Sequence, residues 1–415
     1  MNKKIMTLAV MTAVGLPAAA NADSANVEIY GTFVPFLESV KTSGATTTAP
    51  ADSPNQVSTY AGTNIPSRNR ITSGTSNIGF RGSKDIDADL KVVWQVESGL
   101  QVDGSTVANT IASRNSRVGF SGDWGTAFIG QWDTPYKWAT IPAVNPLKAG
   151  YAFDYNMTLN NPGFGVAGTT TQQGRADSSS DAAFDRRQGN SIQYWTPKSG
   201  GFAGRIAYSV NEGTTVDDGT TPSISPEIWS LMVSYQTGGL SLRYAYEQHD
   251  DYFGLKPLGG SGPSNTNGSA QDTGHKLVAV YRVGNTKLVA AYDILNYQTD
   301  ETTAGTVNEY ERDSYYLLAE QAFGKDHVWL AYGSADKGSC TVAGGGSCST
   351  NGLGATQTVL GYLHRFNKKT DFYASYYKLE NEESASYAVF PPVVGGGTKP
   401  GADTTGVGIG MLYSF

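Results

Sequence analysis

The C-terminal stretch 407–415 alternates between two kinds of side chain. The odd-numbered positions are occupied by Val407, Ile409, Met411, Tyr413 and Phe415. The even-numbered positions between them are occupied by glycine, leucine and serine. A period of two predicts a β-strand whose faces meet different surroundings. At the edge of a soluble sheet, such an apolar strand would be prone to aggregation. It is protected if it pairs with the first strand and closes a barrel in a membrane, although the terminal strand of a β-sandwich is an alternative.

The same two-residue rhythm recurs through most of the chain. In 202–210, Phe202, Ile206 and Tyr208 alternate with Arg205 and with small residues. The stretches 240–247, 277–283 and 288–294 repeat the arrangement, and their charged residues fall at the second parity. In a barrel with many strands, the apolar set would face lipid and the second set would face a wet lumen.

The connections between these strands sort by length. Counting along the sequence predicts sixteen strands joined by seven tight turns and eight long polar loops, in strict alternation. The predicted turns lie at 85–87, 122–125, 197–201, 237–239, 284–286, 323–325 and 366–369. Short turns at one rim and long loops at the other are typical of an outer-membrane barrel. A β-sandwich would not separate its connections in this way.

One connection, 138–186, is much longer than the others. It contains Tyr151, Phe153, Tyr155 and Phe164, so it is too apolar for a solvated tail. Loops of this length are usually functional or disordered. We expect this loop to fold into the barrel, where its apolar residues can be buried and where it would narrow the lumen.

The N-terminal segment 1–22 has the three parts of a secretory signal. Lys3 and Lys4 precede an apolar run over 5–13, and small residues end at Ala22. This order predicts cleavage after Ala22, which a buried core helix would not explain. The remaining chain, 23–415, is predicted to be a single barrel domain. No other stretch approaches the length of a transmembrane helix.

Composition adds two constraints. The chain has 50 Gly, 24 Tyr and a formal net charge of −7, which favours strands and turns and argues against nucleic-acid binding. Its two cysteines, Cys340 and Cys348, are expected to form a disulfide, because a secreted chain enters an oxidising compartment. The alternative is that both remain free thiols. No histidine lies near them, so a metal site is not predicted.

Catalytic chemistry is not predicted. The four histidines, at 249, 275, 327 and 364, have no serine and carboxylate neighbours that assemble into a nucleophilic site. The glycine runs 344–346 and 395–397 precede no helix, so they are loop glycines rather than phosphate cradles. We therefore expect no enzyme activity, no cofactor and no metal.

Several segments resemble the Gram-negative porins, the trimeric general-diffusion family with neisserial and β-proteobacterial members. The matching segments, in order, are 76–85, 90–97, 114–120, 129–135, 187–194, 368–374 and 408–415. The resemblance implies a sixteen-stranded outer-membrane barrel, a homotrimer, and a third loop, 138–186, folded inward to narrow the pore. Asn77 and Gln131 depart from the family pattern, because the family often places arginine at these two positions.

The parity pattern places a set of bases on the lumen wall. Facing an acid on the loop, Asp154, they would create a transverse field, and charges that line a pore set its ion selectivity. Arg81, Arg117 and Arg187 are the strongest wall candidates because they lie in the family-matching segments that flank the loop. The predicted pore-lining and constriction residues are Arg81, Arg117, Asp154, Arg187, Arg205, Arg243, Lys276 and Arg282.

The sequence thus predicts an all-β outer-membrane porin, exported through the periplasm, that passes ions and small hydrophilic solutes by diffusion. Bases outnumber acids on the predicted wall, which favours a weak preference for anions. Two other functions are compatible with the pattern, a substrate-selective channel and a plugged structural or adhesive barrel. The expected partners are two further copies of the chain, outer-membrane lipid, lipopolysaccharide and small solutes.

Overall fold

The computed structural model describes most of the predicted barrel domain. The described residues are 26–54, 62–104, 111–144, 147, 184, 186–210, 225–252, 255, 270–346, 348–389 and 399–415. The predicted signal segment 1–22 and the predicted constriction residue Asp154 lie outside them. No helix in these ranges is long and apolar enough to span a membrane.

The described chain forms one antiparallel sheet. Its strands are β1 Asn26–Phe33, β2 Phe36–Ser43, β3 Arg68–Thr72, β4 Asn77–Asp87, β5 Leu90–Gly99, β6 Ser116–Gly122, β7 Gly125–Asp133, β8 Arg187–Trp195, β9 Phe202–Val210, β10 Glu227–Thr237, β11 Leu240–Asp250, β12 Ala270–Val283, β13 Thr286–Thr299, β14 Val307–Phe323, β15 Asp326–Ala335, β16 Ser339–Val342, β17 Ala355–Asn367, β18 Thr370–Asn381 and β19 Asp403–Ser414.

These strands build the predicted sixteen-stranded barrel. β1 and β2 are one barrel strand interrupted at Pro35, which has no N–H to donate to the ladder. β3 and β4 are likewise one strand, broken opposite that proline, where the Ser76 hydroxyl accepts the Val34 N–H. β16 lies in the loop between β15 and β17 and pairs only with the end of β14.

The C-terminal strand closes the barrel as predicted. β19 pairs with β18 on one side and with both halves of the first strand on the other, placing Thr32 opposite Ser414 and Val407 opposite Ser39. Its apolar residues face outward, with Val407 54% exposed and Met411 49% exposed. The predicted sandwich alternative is therefore excluded.

The short connections occur where the sequence predicts them, with one correction. The turn predicted at 85–87 is wrong, because β4 continues to Asp87 through a register shift at Ile86. The turn follows at 88–89, where the Asp87 carboxylate accepts the Ala88 N–H. The predicted bounds of two loops, 251–272 and 300–311, also extend too far. The strands that follow them begin earlier, β12 at Ala270 and β14 at Val307.

The inner wall is less polar than the parity argument predicts. On β12–β15, Val278, Val289, Leu318 and Trp329 point inward and are almost fully buried. They belong to one apolar cluster that also contains Tyr136, just before the long third loop, and residues 139, 143, 147 and 184 within it. The inward-facing residues on this side of the barrel are therefore covered by polypeptide. The prediction that every residue of the second, inward-facing set meets water is wrong here.

The two cysteines are joined in the loop that contains β16. Cys340 and Cys348 form a disulfide with 5.6 Å between their Cα atoms. The bond lies beyond the end of β15, where Cys340 on β16 is opposite Tyr310 at the N-terminal end of β14.

Candidate pore constriction

The described beginning of the third loop packs against the inner side of the barrel wall directly after β7. Thr134 caps a short helix, Pro135–Trp138, by accepting the Lys137 N–H, and Pro135 suits the first turn because its missing N–H is not needed there. A second short helix, Ile141–Val144, follows. Tyr136 is fully buried between the helix and the inner wall. Its N–H donates to Ser230 on β10, and its hydroxyl donates to Asp293 on β13 at 2.8 Å.

Lys276 holds this entry segment rather than lining open pore. Its ammonium lies 3.4 Å from Asp293, and both side chains are 0% exposed. It also lies 4.1 Å from the centre of the Tyr136 ring and donates to the Thr140 hydroxyl. Lys276 thus lies on the inner side of the wall, where the beginning of the loop covers it and the Asp293 carboxylate neutralises it.

A buried carboxylate, Asp133, gathers both ends of the loop. It lies 3.3 Å from Lys137 at the loop's beginning and 3.2 Å from Arg187 just after its end. Asn115 donates to the same carboxylate and accepts from Arg187. Arg187 is therefore a partner of the loop anchor, and its side chain is only 10% exposed.

The end of the loop is fixed on the same part of the inner wall as its beginning, with the Phe184 ring 5.6 Å from that of Tyr136. The Phe184 ring stacks on His249 of β11 at 4.4 Å and meets Tyr297 of β13 edge-on. Thr134 also donates its N–H to the Arg186 carbonyl, which joins the two ends directly. Both ends of the third loop thus lie inside the barrel wall.

Four arginines on strands β6 to β12 remain without a carboxylate partner among the described residues. We call Arg117, Arg205, Arg243 and Arg282 the arginine row. Arg205 interacts electrostatically with Arg117 and Arg243, and Arg243 interacts with Arg282. The row therefore follows the lumen wall from the third loop toward the rim that carries the short turns.

Aromatic rings pack against Arg117 and Arg205, the two arginines of the row that lie nearest the third loop. The Arg117 guanidinium lies 4.5 Å from the centre of the Trp132 ring and 4.7 Å from that of Trp195. Arg205 lies 4.1 Å from Trp195 and 4.2 Å from Trp138 of the loop helix. Contacts between a guanidinium and an aromatic face fix the base without neutralising its charge.

The other two arginines of the row, Arg243 and Arg282, lie nearer the rim that carries the short turns. Arg243 donates to the Ala139 carbonyl at 2.8 Å, a contact that leaves its charge unbalanced. Arg282 is exposed at the rim next to the turn. The neighbouring base Lys287 differs from the row, because Glu320 lies 3.4 Å from its ammonium.

The wall formed by β1 to β5 is electrically balanced. Arg81 points into the lumen and forms a two-bonded ion pair with Glu28, its strongest contact. Glu38 pairs with Arg70, and Glu97 pairs with Arg114. Of the three strongest candidates predicted from the sequence, only Arg117 has no carboxylate partner among the described residues.

The aromatic rings that support Arg117 and Arg205 could not be predicted from the sequence. Phe128, Trp132 and Trp195 meet one another inside the barrel, with ring centres 4.9 to 5.5 Å apart. A register shift between Gly130 and Trp132 breaks the alternation of β7, so its faces cannot be assigned by parity. Gln131, which departs from the family pattern, donates to the Ala112 and Arg114 carbonyls.

Comparison with known proteins agrees with this architecture. The sequence profile of the family described as Gram-negative porin matches residues 7–384. Outer membrane porin protein 32 of Delftia acidovorans is 26% identical over 83% of this chain and 86% of its own length. A solved structure, an anion-selective porin from Comamonas acidovorans, is 21% identical with a TM-score of 0.67, and the match covers 94% of this chain and 100% of that one.

A second solved structure shares the fold at lower similarity. It is a trimer form of OmpT, an outer membrane protein of Vibrio cholerae, with 15% identity and a TM-score of 0.57. The match covers 95% of this chain and 100% of that chain.

Proposed function

Since this chain belongs to the Gram-negative porin family and forms a channel in the outer membrane, we propose that the channel prefers anions among the small hydrophilic solutes that diffuse through it. The family and the fold are those of channels rather than enzymes. The observation that supports the preference is the arginine row, whose four charges have no carboxylate partner in the described part of the chain.

The field of this row would be strong inside a barrel. Lumen charges face a low-dielectric wall, which focuses their field into the water of the pore. The net charge of −7 does not oppose this conclusion, because charges on exposed loops are screened within about 8–10 Å at physiological salt. The similar structure from Comamonas acidovorans is described as anion-selective, and the arginine row supplies a physical basis for the same preference here.

The third loop, 138–186, would form the narrowest part of the pore. A sixteen-stranded barrel is wide enough to leave an aqueous channel, so a sieve requires something to narrow it. The anchoring of both loop ends inside the wall supports this role. Asp154, in the middle of the loop, would then face the arginine row across the opening.

We also infer a homotrimer in the membrane. The trimer form of the similar OmpT structure supports this assembly, as does the resemblance to the trimeric porins. The mass of the detergent-solubilised protein by light scattering tests it, and a mass equal to one chain would contradict it.

Liposome swelling tests the proposed function. Liposomes containing the protein are placed in isosmotic gluconate, glucose or glucosamine, which are similar in size but differ in charge. We expect gluconate to enter fastest and glucosamine slowest, and we expect Arg117→Gln/Arg205→Gln/Arg243→Gln to reduce this difference. Lys198→Gln, in a short turn outside the lumen, is the matched control.

Two results would favour the other candidate functions. Absence of swelling with every solute would indicate a plugged barrel. Entry that saturates with one solute and is blocked by it would indicate a substrate-selective channel.

A further inference from the structure

The connection between β18 and β19 turns into the barrel soon after it begins. It follows the end of β18 that carries a long loop, which is the external side of such barrels. All six residues of 384–389 are buried, and Ala385, Tyr387 and Val389 belong to the apolar cluster of the inner wall. We call 384–389 the inward segment. It is a further part of the chain, besides the third loop, that packs on the inner side of the wall.

Asn381, the last residue of β18, holds Tyr387 by its backbone. The Asn381 side chain accepts the Tyr387 N–H at 2.9 Å and donates to the Tyr387 carbonyl at 3.0 Å. The same amide donates to the Ala402 carbonyl at 2.8 Å, just before β19. One side chain thus satisfies both buried backbone groups of Tyr387, which would otherwise be costly to bury, and joins the two ends of the connection. Asn381 is therefore a positioning residue for Tyr387.

The Tyr387 ring lies against the inner face of β14. Its centre is 5.7 Å from the Arg312 guanidinium, inside the range of about 6 Å over which a cation and an aromatic face attract. Arg312 is 2% exposed and shares the inward parity of Tyr310 and Tyr316, so Tyr387 is inside the barrel. The Tyr387 hydroxyl makes no hydrogen bond to any described residue. The ring is therefore held by packing and by its backbone rather than by its hydroxyl.

The inward segment and the third loop share one aromatic wall. Tyr310, in the same apolar cluster as Tyr387, stacks on Tyr297 of β13 with 6.2 Å between the ring centres. Tyr297 in turn meets Phe184, at the end of the third loop, edge-on. Tyr297 is nearer the external end of β13 than Asp293, which binds the beginning of the third loop. The inward segment therefore lies on the external side of the helix that begins the third loop.

The wall across the lumen from β14 is more open. Arg81, Gln95 and Arg117 are inward neighbours on β4, β5 and β6, and all three keep partial or full exposure. On the side of the inward segment, by contrast, Tyr310 and Tyr377 are fully buried. The space left for a solute in the described structure thus lies toward β4, β5 and β6.

We propose that the inward segment is a second size filter of this channel, external to the third loop. It fills the lumen in front of β14 and β18 and confines solutes to the side of β4, β5 and β6. The inward segment contains no charged residue, so it restricts solutes by size and leaves the ion preference to the arginine row. This inference rests on the channel function but not on the proposed anion preference.

Liposome swelling with neutral sugars of different size tests the filter. Tyr387→Ala removes the packed ring, and Asn381→Ala removes the side chain that positions it. We expect each variant to raise the rate of entry of stachyose, relative to that of glucose, at least twofold. Tyr387→Phe should keep the wild-type ratio, because the hydroxyl makes no hydrogen bond to a described residue. Tyr376→Ala, which changes a lipid-facing tyrosine on β18, is the matched control.

Two further readouts separate the filter from other effects. Since Asn381 acts through Tyr387, Asn381→Ala/Tyr387→Ala should have the same sugar ratio as Tyr387→Ala, because the effects of coupled residues do not add. The zero-current potential should be the same in all these variants, because no charge changes. The sugars are neutral, so a failure of the proposed anion preference would not alter their ratio.

Thiol labelling tests the position of the segment independently of transport. Ala388 is 4% exposed, so Ala388→Cys should be protected from a charged maleimide. We expect Asn381→Ala/Ala388→Cys to react at least tenfold faster. Equal labelling rates would overturn the proposal. So would a stachyose-to-glucose ratio that stays at the wild-type value in both Tyr387→Ala and Asn381→Ala, with thermal unfolding verifying that the barrels are folded.

Discussion

Trp195 is the side chain that links Arg117 and Arg205, the two arginines of the row nearest the third loop. Its ring contacts both Arg117 and Arg205, and a guanidinium–aromatic contact contributes about 0.5–2 kcal/mol depending on its exposure. We expect Trp195→Leu to reduce anion preference while retaining all charges, because both guanidinium groups lose a fixed position. Zero-current potentials measure this effect. Trp229→Leu, which removes a lipid-facing indole, is the control, and an equal effect of both changes would contradict a specific role.

Asp133 is the residue on which the geometry of the loop entrance depends most. Asp133→Asn would leave Lys137 and Arg187 buried without their shared carboxylate, and breaking a buried ion pair typically costs 3–5 kcal/mol. We expect larger fluctuations of the open-channel current, because the loop entrance loses its anchor.

Single-channel recording measures these fluctuations, and thermal unfolding reports stability separately. Asp326→Asn alters a carboxylate that is 43% exposed at the rim with the short turns, so it should leave the current unchanged. A quiet Asp133→Asn channel with wild-type conductance would show that the loop does not depend on this anchor.

At the scale of single strands, alternation decides which substitutions the barrel tolerates. Leu330 is 56% exposed in the middle of the outward face of β15, where its environment is lipid. An arginine at this depth typically costs about 2–4 kcal/mol. Ser83→Arg places the same side chain in the lumen beside Glu28 and Arg81, so it should cost much less. A urea folding titration compares the two, and equal destabilisation would show that the assignment of faces is wrong.

The disulfide belongs to a loop element rather than to the barrel. Cys340 and Cys348 are separated by 8 positions, so the closed ring is small and chain entropy limits its stabilisation to about 2–3 kcal/mol. We expect reduction to increase proteolysis within 336–354 while the unfolding of the barrel changes little. Intact mass after alkylation with and without reductant checks the bond, and labelling of both cysteines without reductant would contradict it.

Strand number, closure and outward faces were predictable because each depends on local periodicity. β19 shows this directly, since its alternation and its pairing partner both follow from the sequence. The ends of strands were less predictable. β12 and β14 extend above the apolar band with polar residues on both faces, and those residues do not alternate in hydrophobicity although their ladder continues.

The charge balance of the lumen was the least predictable feature of the molecule. Parity places Arg81, Arg187 and Lys276 inward, but it cannot show that Glu28, Asp133 and Asp293 neutralise them from other strands. The two members of each pair are distant in the sequence and meet only because the strand register brings them side by side. The unpaired charges of the arginine row therefore emerge at the scale of the whole barrel.

The zero-current potential of the wild-type channel in a planar bilayer measures the ion preference that we attribute to the arginine row. Under a tenfold gradient of potassium chloride, we expect a potential with the sign of net chloride flow. We also expect Arg117→Gln/Arg205→Gln/Arg243→Gln to move the potential toward that of potassium flow, while Lys198→Gln leaves it unchanged. A wild-type potential with the sign of potassium flow, or a triple variant that matches the wild type, would show that the arginine row does not set the selectivity.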